Sequence, residues 1–392
     1  MNRTPQLFAI ALACTALFAR AENWAHWRGP AFNGSSPEKD LPETWNETKG
    51  IKWKTPLPGM SGATPAVWGD SIFVSTPDEN KNLLLCCIDR KDGKIRWQKQ
   101  IATGNIKKGN GNMASPSPVT DGKSVFILYG TGDLAALDFA GQVLWQRNLG
   151  ADYGRFAIMW TYGSSPLLYD GKLYVQVLQR NPAPGDYPGV TSAPWDRESY
   201  LLALDPATGK TLWKHVRPTD AKLESMESYA SPVPHIGADG KAQLLLVGGD
   251  CFTGHDPATG AELWRGYGLN RKRGEWMRIV ASPVSAAGLA IACGPKKEPL
   301  LAFRTDLKGD ITEKGRAWVF DEKKTPDVCT PAFYDGKLFA LDGDSATLTC
   351  LEPKTGKIQW QGQLPERSVI RASPTVADGK VYIVNEKGTV FV

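Results

Sequence analysis

Histidine is scarce in this chain. The four present in 392 residues, His26, His215, His235 and His255, show no spacing that would bring two of them to one metal ion. No G-x-S-x-G stretch provides an elbow for a nucleophilic serine. Beyond residue 21 no apolar run is long enough to cross a bilayer. Neither sign of charge dominates: 46 Lys and Arg against 41 Asp and Glu leave a net +5, too mild for a nucleic-acid footprint without a basic face. The two basic clusters, KKGNGN at 107–112 and RKRGEWMR at 271–278, read as solvated loops. GNGNMA at 109–114 echoes a dinucleotide loop but runs into a strand rather than a helix. Asp342-Gly343-Asp344 has calcium-loop residue types but reads more simply as the hairpin between LFAL and TLTCL.

Cysteine is sparse as well. Outside the first 21 residues there are six: Cys86, Cys87, Cys251, Cys293, Cys329 and Cys350. Cys87 in CCIDRKDG and Cys350 in TCLEPKTG fall where Ala203 stands in LLALDPATG, a small, buried strand position. Buried thiols are therefore expected rather than a disulfide framework. Residues 1–21 carry Arg3, the apolar run LFAIALACTALFA and Ala19-Arg20-Ala21, the pattern of a secretory leader with an A-x-A cleavage site. This predicts a periplasmic or extracellular protein. A lipid anchor at Cys14 is the competing reading, with Ala11 standing where a lipobox favours leucine.

Tryptophan and proline, by contrast, recur on a period. Trp53 in IKWKTPL, Trp97 in KIRWQKQI, Trp145 in QVLWQRNL, Trp213 in KTLWKHV, Trp264 in AELWRGY, Trp318 in RAWVF and Trp360 in KIQWQGQL repeat one phrase. A small residue followed by proline recurs between them, at Pro65, Pro116, Pro166, Pro232, Pro283, Pro331 and Pro374. A period of about 40–50 residues built of short strands is the signature of a propeller blade. The clearest unit, Ser164 to Val216, parses into an edge strand opened by Pro166, a turn at Asp170-Gly171, the strand LYVQVL, the strand LLALD, a PATGK turn and the outer strand TLWKHV. The seven tryptophans are expected to cement neighbouring blades. Each would bury about 150–250 Å², an upper bound of about 4–6 kcal/mol.

The last unit supplies three strands by Val392, and IKWKTPL at 51–57 has no preceding three strands of its own. Joining the two predicts an all-β fold of seven four-stranded blades closed by an N-terminal strand, with eight blades if the chain is a fragment. The expected organisation is a leader over 1–21, an extended strap over 22–50 and a propeller over 51–392, with an insertion at 178–199 in the third blade.

The phrases ALDPATGKTLW at 203–213, HDPATGAELW at 255–264 and LEPKTGKIQW at 351–360 resemble the repeat of pyrroloquinoline-quinone-like β-propellers, over about residues 51–392. WAHWRGPAFNGSSP resembles the leader segment of secreted bacterial members. The resemblance implies two branches: quinoprotein alcohol dehydrogenases, and non-catalytic propellers such as the lipoprotein of the outer-membrane barrel-assembly machine. The first branch implies a quinone, calcium, an aspartate base and a vicinal disulfide. Cys86-Cys87 lies in the strand LLLCCID, where adjacent side chains point to opposite faces, and so does not match that site. No calcium ligand or base can be placed on other positions. The expectation is an exported, monomeric, non-catalytic scaffold without metal or cofactor, binding a protein, peptide or extended polymer in envelope protein assembly; a quinone- and calcium-dependent alcohol dehydrogenase is the alternative.

Five methionines beyond the initiator each precede a small-Pro phrase: Met60, Met113, Met159, Met226 and Met277. They share the crossings between blades with Trp160, Tyr162, Tyr229, Trp276, Arg278 and Arg371, and those crossings open on the same face as the insertion. Two readings stand side by side: an adaptable binding surface at the mouth of the axial channel, or methionines filling gaps between blades. The first gives Met60, Met113, Trp160, Tyr162, Tyr229, Trp276, Arg278 and Arg371 as candidate binding residues.

Overall fold

The computed structural model describes residues 22–182, 187 and 197–392; the expected leader and most of the 178–199 insertion lie outside them. In the third repeat unit, Leu167–Tyr169, Lys172–Val177, Tyr200–Leu204 and Thr211–Val216 pair antiparallel in sequence order. Tyr169 pairs with Lys172 across Asp170 (φ 46°) and Gly171 (φ 69°). Two successive positive φ angles make the tight hairpin whose twist suits its strands. The third strand is buried at all five positions, which is why its sequence is a continuous apolar run rather than an alternation.

Among the described residues five further sheets follow this plan, and a sixth has three such strands. They span Ala66–Trp68 to Ile95–Thr103, Val119–Thr120 to Val143–Asn148, Val233–Ile236 to Glu262–Tyr267, Val284–Ala286 to Arg316–Phe320, Ala332–Tyr334 to Ile358–Gln363, and Thr375–Ala377 to Val390–Phe391. The fourth sheet gains a fifth strand, Gly309–Asp310, parallel to its outer strand.

Neighbouring sheets are joined at two radii. At the outer radius a tryptophan docks on the next sheet's turn. Trp97 Nε1 donates to the Phe139 carbonyl at 2.9 Å, Trp145 to Pro206 at 2.8 Å and Trp318 to Pro353 at 2.9 Å. The indole lies so close to Gly209 that a Cβ there would meet the Trp145 ring at 2.6 Å, and Gly209 also has φ 68°, so this turn needs glycine twice over. Trp213 packs on Gly260 in the same way, but Tyr174 takes the Pro257 carbonyl. Trp264 turns inward: it is fully buried between Phe252 and Phe303 and donates to Gln243 at 2.6 Å. The fifth sheet replaces the PATGK turn with 304–315, so Trp264 has no such turn to dock on.

At the inner radius the residue before each strand-opening proline forms a belt. The backbone N–H of Thr64 donates to the Ser117 hydroxyl, Ser117 to Ser165, Ser165 to Ser231, Ser231 to Ser282, Ser282 to Thr330, and Thr330 to Ser373, all at 2.8–3.0 Å. The small residue of the repeat is thus an acceptor for its neighbour's amide. This register corrects the repeat in the second unit. Its phrase is Ser117-Pro118, which opens Val119–Thr120, and not the one ending at Pro116.

The expected closing strand is also corrected. Residues 51–57 form no strand, although Trp53 docks on the first sheet's turn, its Nε1 donating to the Arg90 carbonyl at 3.0 Å. The added strand of the last sheet is instead Ser35–Ser36, parallel to its innermost strand. Pairing at 35–36 rather than 51–57 belongs to a strap that crosses the inner strands. Trp24 bridges to Val67, the Ala25 carbonyl accepts from Thr120, Asn33 from Phe333 and Gly34 from Val376.

Candidate binding mouth and axial channel

The crossings between sheets surround a concave mouth of about 480 Å³, lined by Gly109–Gly111, Trp160, Thr161, Tyr229, Arg278, Val280, Asp327, Val328 and Arg371. Four of the eight sequence-predicted residues, Trp160, Tyr229, Arg278 and Arg371, therefore meet at one opening. Trp160 is 43% exposed and is held from below, its Nε1 donating to the Glu224 carboxylate at 2.9 Å. Its ring covers Gly109, and the Lys108 ammonium lies 5.9 Å from the ring centroid. The next residue, Thr161, has φ 80°, a costly conformation for a β-branched residue that the surrounding packing must enforce. Arg278 forms a two-pronged pair with Asp327 at 3.0 and 3.1 Å. Arg371 reaches Asp344 at 2.6 Å.

The other four lie elsewhere. Tyr162 is buried, its hydroxyl donating to the Gln176 carbonyl at 2.6 Å. Met113 is buried in the core shared by the first two sheets, so it fills a gap there. Met60 is 74% exposed and Trp276 50% exposed, but neither lines the mouth; the Trp276 carbonyl accepts from Lys296.

Beneath Trp160 lies a carboxylate that sequence inspection passed over. Glu227 is fully buried and accepts from the Met159 N–H at 2.8 Å, the Tyr187 hydroxyl at 2.6 Å and the Tyr229 hydroxyl at 3.2 Å. Burial raises its pKa to about 7 despite these donors. The signal was the short acidic phrase ESMESY at 224–229, which looks like any polar loop until its own Tyr229 and Tyr187 of another segment close over Glu227.

Inward from the mouth is an axial channel of about 370 Å³, lined by the belt residues with Trp24, Trp27 and Arg28 of the strap. The quinone-and-calcium site of the alternative reading finds no fit among these groups. Among the described residues no three His, Cys, Asp or Glu side chains are placed to hold a metal. Cys86 and Cys87 are fully buried in Asn82–Asp89, opposite Val74 and Phe73. Burial pushes the Cys86 thiol up to about 11.

The family profile described as outer membrane protein assembly factor BamB matches residues 41–175, 154–314 and 310–392. The chain belongs to this family. The structure is similar to that of BamB from Moraxella catarrhalis, with a TM-score of 0.59 and 15% identity, over 87% of this chain and 84% of that one, which makes the fold a β-propeller. Quinohemoprotein alcohol dehydrogenase from Comamonas testosteroni aligns at a TM-score of 0.49 and 13% identity, over 94% of this chain and 78% of that one. Polyvinylalcohol dehydrogenase from Sphingopyxis sp. (strain 113P3) is 26% identical over 50% of this chain, and that from a Pseudomonas species 26% over 42%. The chain spans 28% and 24% of the length of these two relatives. No helix among the described residues is long and apolar enough to cross a membrane.

Proposed function

We propose that this protein is an exported, non-catalytic propeller that holds an extended peptide segment of a protein partner across its mouth, in the assembly of envelope proteins. The observation that carries this reading is the convergence of Trp160, Tyr229, Arg278 and Arg371 on one concavity. Aromatic and arginine side chains are the usual anchors of protein interfaces, because they bring large contact area and directional donors at little entropic cost. Arg278 and Arg371 are already oriented by Asp327 and Asp344, so less order is lost on binding. Family membership supports the assembly role.

Selection of binders from a display library of unstructured peptides tests the reading. Peptides that bind the intact protein should lose at least about tenfold in affinity with Trp160→Ala and Arg371→Ala together, a loss of about 1.4 kcal/mol or more. Unchanged affinity would place binding elsewhere. The polyvinylalcohol dehydrogenase relatives favour a second reading, a quinone-dependent alcohol oxidation. Dye reduction by polyvinyl alcohol in the presence of pyrroloquinoline quinone and calcium would replace the scaffold reading with that one.

A further inference from the structure

We infer that the axial channel beneath the mouth binds a small oxygen-bearing anion, a carboxylate or phosphate, on the guanidinium of Arg28. Arg28 is 3% exposed. Its donors go to backbone carbonyls, to Pro331 at 2.9 Å, Pro374 at 3.2 Å and Asn33 at 3.3 Å. Carbonyls satisfy hydrogen bonds but do not neutralise the charge, and no carboxylate forms an ion pair with Arg28 among the described residues. Its Nε has no acceptor among the described residues. A buried cation left this way is costly unless an anion joins it. The indole of Trp27, 5.4 Å from the guanidinium carbon, compensates only in part. Cys329 is no counter-ion, because burial drives its thiol pKa up to about 12 and keeps it neutral. Consistently, burial lowers the Arg28 pKa to about 9.

The channel wall adds to this. Each belt hydroxyl from Ser117 to Ser373 already accepts a backbone N–H from the preceding sheet. A hydroxyl that accepts still has a proton to donate. The lining of the channel includes Arg28 and Arg371 but neither Asp nor Glu. Such a wall offers hydroxyl donors and the charge of Arg28, Arg371 being paired with Asp344, and no carboxylate, which selects for an anion. Arg28 lines the channel and not the mouth, so the assignment does not require the mouth to hold a peptide.

Calorimetric titration of the full chain with acetate and with inorganic phosphate, against chloride at matched ionic strength, tests it. Saturable binding of at least one is expected, and the tighter of the two identifies a planar or a tetrahedral ligand. Arg28→Met should weaken it at least tenfold. Because Arg28 also ties the strap to two sheets and its loss could unfold the protein, Val328→Asp provides a second test. It adds a carboxylate to the channel wall while keeping every Arg28 contact, and should likewise weaken binding at least tenfold. No saturable response of the unaltered protein to either anion, or undiminished affinity in Val328→Asp, would overturn the assignment.

Discussion

Trp318 and Trp360 occupy the same place in the repeat and live in different surroundings. Trp318 is 7% exposed and docks on Gly356 and the Pro353 carbonyl of the next sheet. Trp360 is 44% exposed and rests on Phe339 of its own sheet. Trp318→Ala should therefore cost about 3–5 kcal/mol and Trp360→Ala about 1 kcal/mol or less; equal shifts in urea midpoint would show that the turn contact is not what matters. Titrating residues give a second contrast. Burial lowers His26 and His235 to about 4 and His255 to about 3. The unfolded chain therefore binds more protons below pH 6.5, and the stability these three supply above that pH is lost as pH falls toward their folded values. Glu227, raised to about 7, and Asp250, raised to about 6, have the opposite sign: their contribution is full below the unfolded carboxylate range and is lost as pH rises through the folded values. Between pH 7 and 5 the histidines and the two carboxylates therefore oppose one another. Glu227→Gln removes much of the opposing contribution, so urea midpoints for that variant should fall more steeply over the same range, and a parallel pH profile would contradict the assignment.

At the scale of elements, what the sequence discloses is whatever a single unit decides for itself. The Asp170-Gly171 hairpin, the apolar YLLAL strand and the Trp-bearing outer strand are set by turn chemistry and by period, and they stand where the repeat places them. Interactions between units were less visible. The serine or threonine before each proline looks like a small residue permitting a close approach, and the acceptor role of its hydroxyl for the preceding sheet appears only when two units stand side by side, which is why the second repeat opens at Pro118 and not Pro116. Residues 51–57 have the strand phrase and lack a partner strand, while Ser35–Ser36, with no strand signal, pairs because the strap carries it past an open edge. The mouth divides in the same way. Trp160, Tyr229, Arg278 and Arg371 were legible as a cluster of crossings, whereas Glu227 and Arg28 matter through burial by distant segments. Tyr162 shares its crossing with Trp160 and faces inward, a difference that positive φ at the intervening Thr161 accompanies.

Across the whole molecule, the order of contacts makes the strap more than an appendage. The belt carries six hydrogen bonds from Thr64 to Ser373, and among the described residues no corresponding bond returns from Ser373 to Thr64. The strap touches both sides of that opening: Trp24 and Ala25 on the first two sheets, Arg28, Asn33 and Gly34 on the last two, and Ser35–Ser36 on the innermost strand of the last. Propeller sheets contact mainly their neighbours, so their stabilities couple through nearest-neighbour interfaces, and a link between the terminal sheets is what makes an open array melt as one unit. A variant lacking residues 22–36 should accordingly lose about 5 °C or more in Tm, and its calorimetric enthalpy should exceed the van't Hoff value as the terminal sheets melt ahead of the centre. A single transition with matching enthalpies and an unchanged Tm would mean that the belt and the docked tryptophans alone couple the sheets, and that the strap serves only the channel it lines.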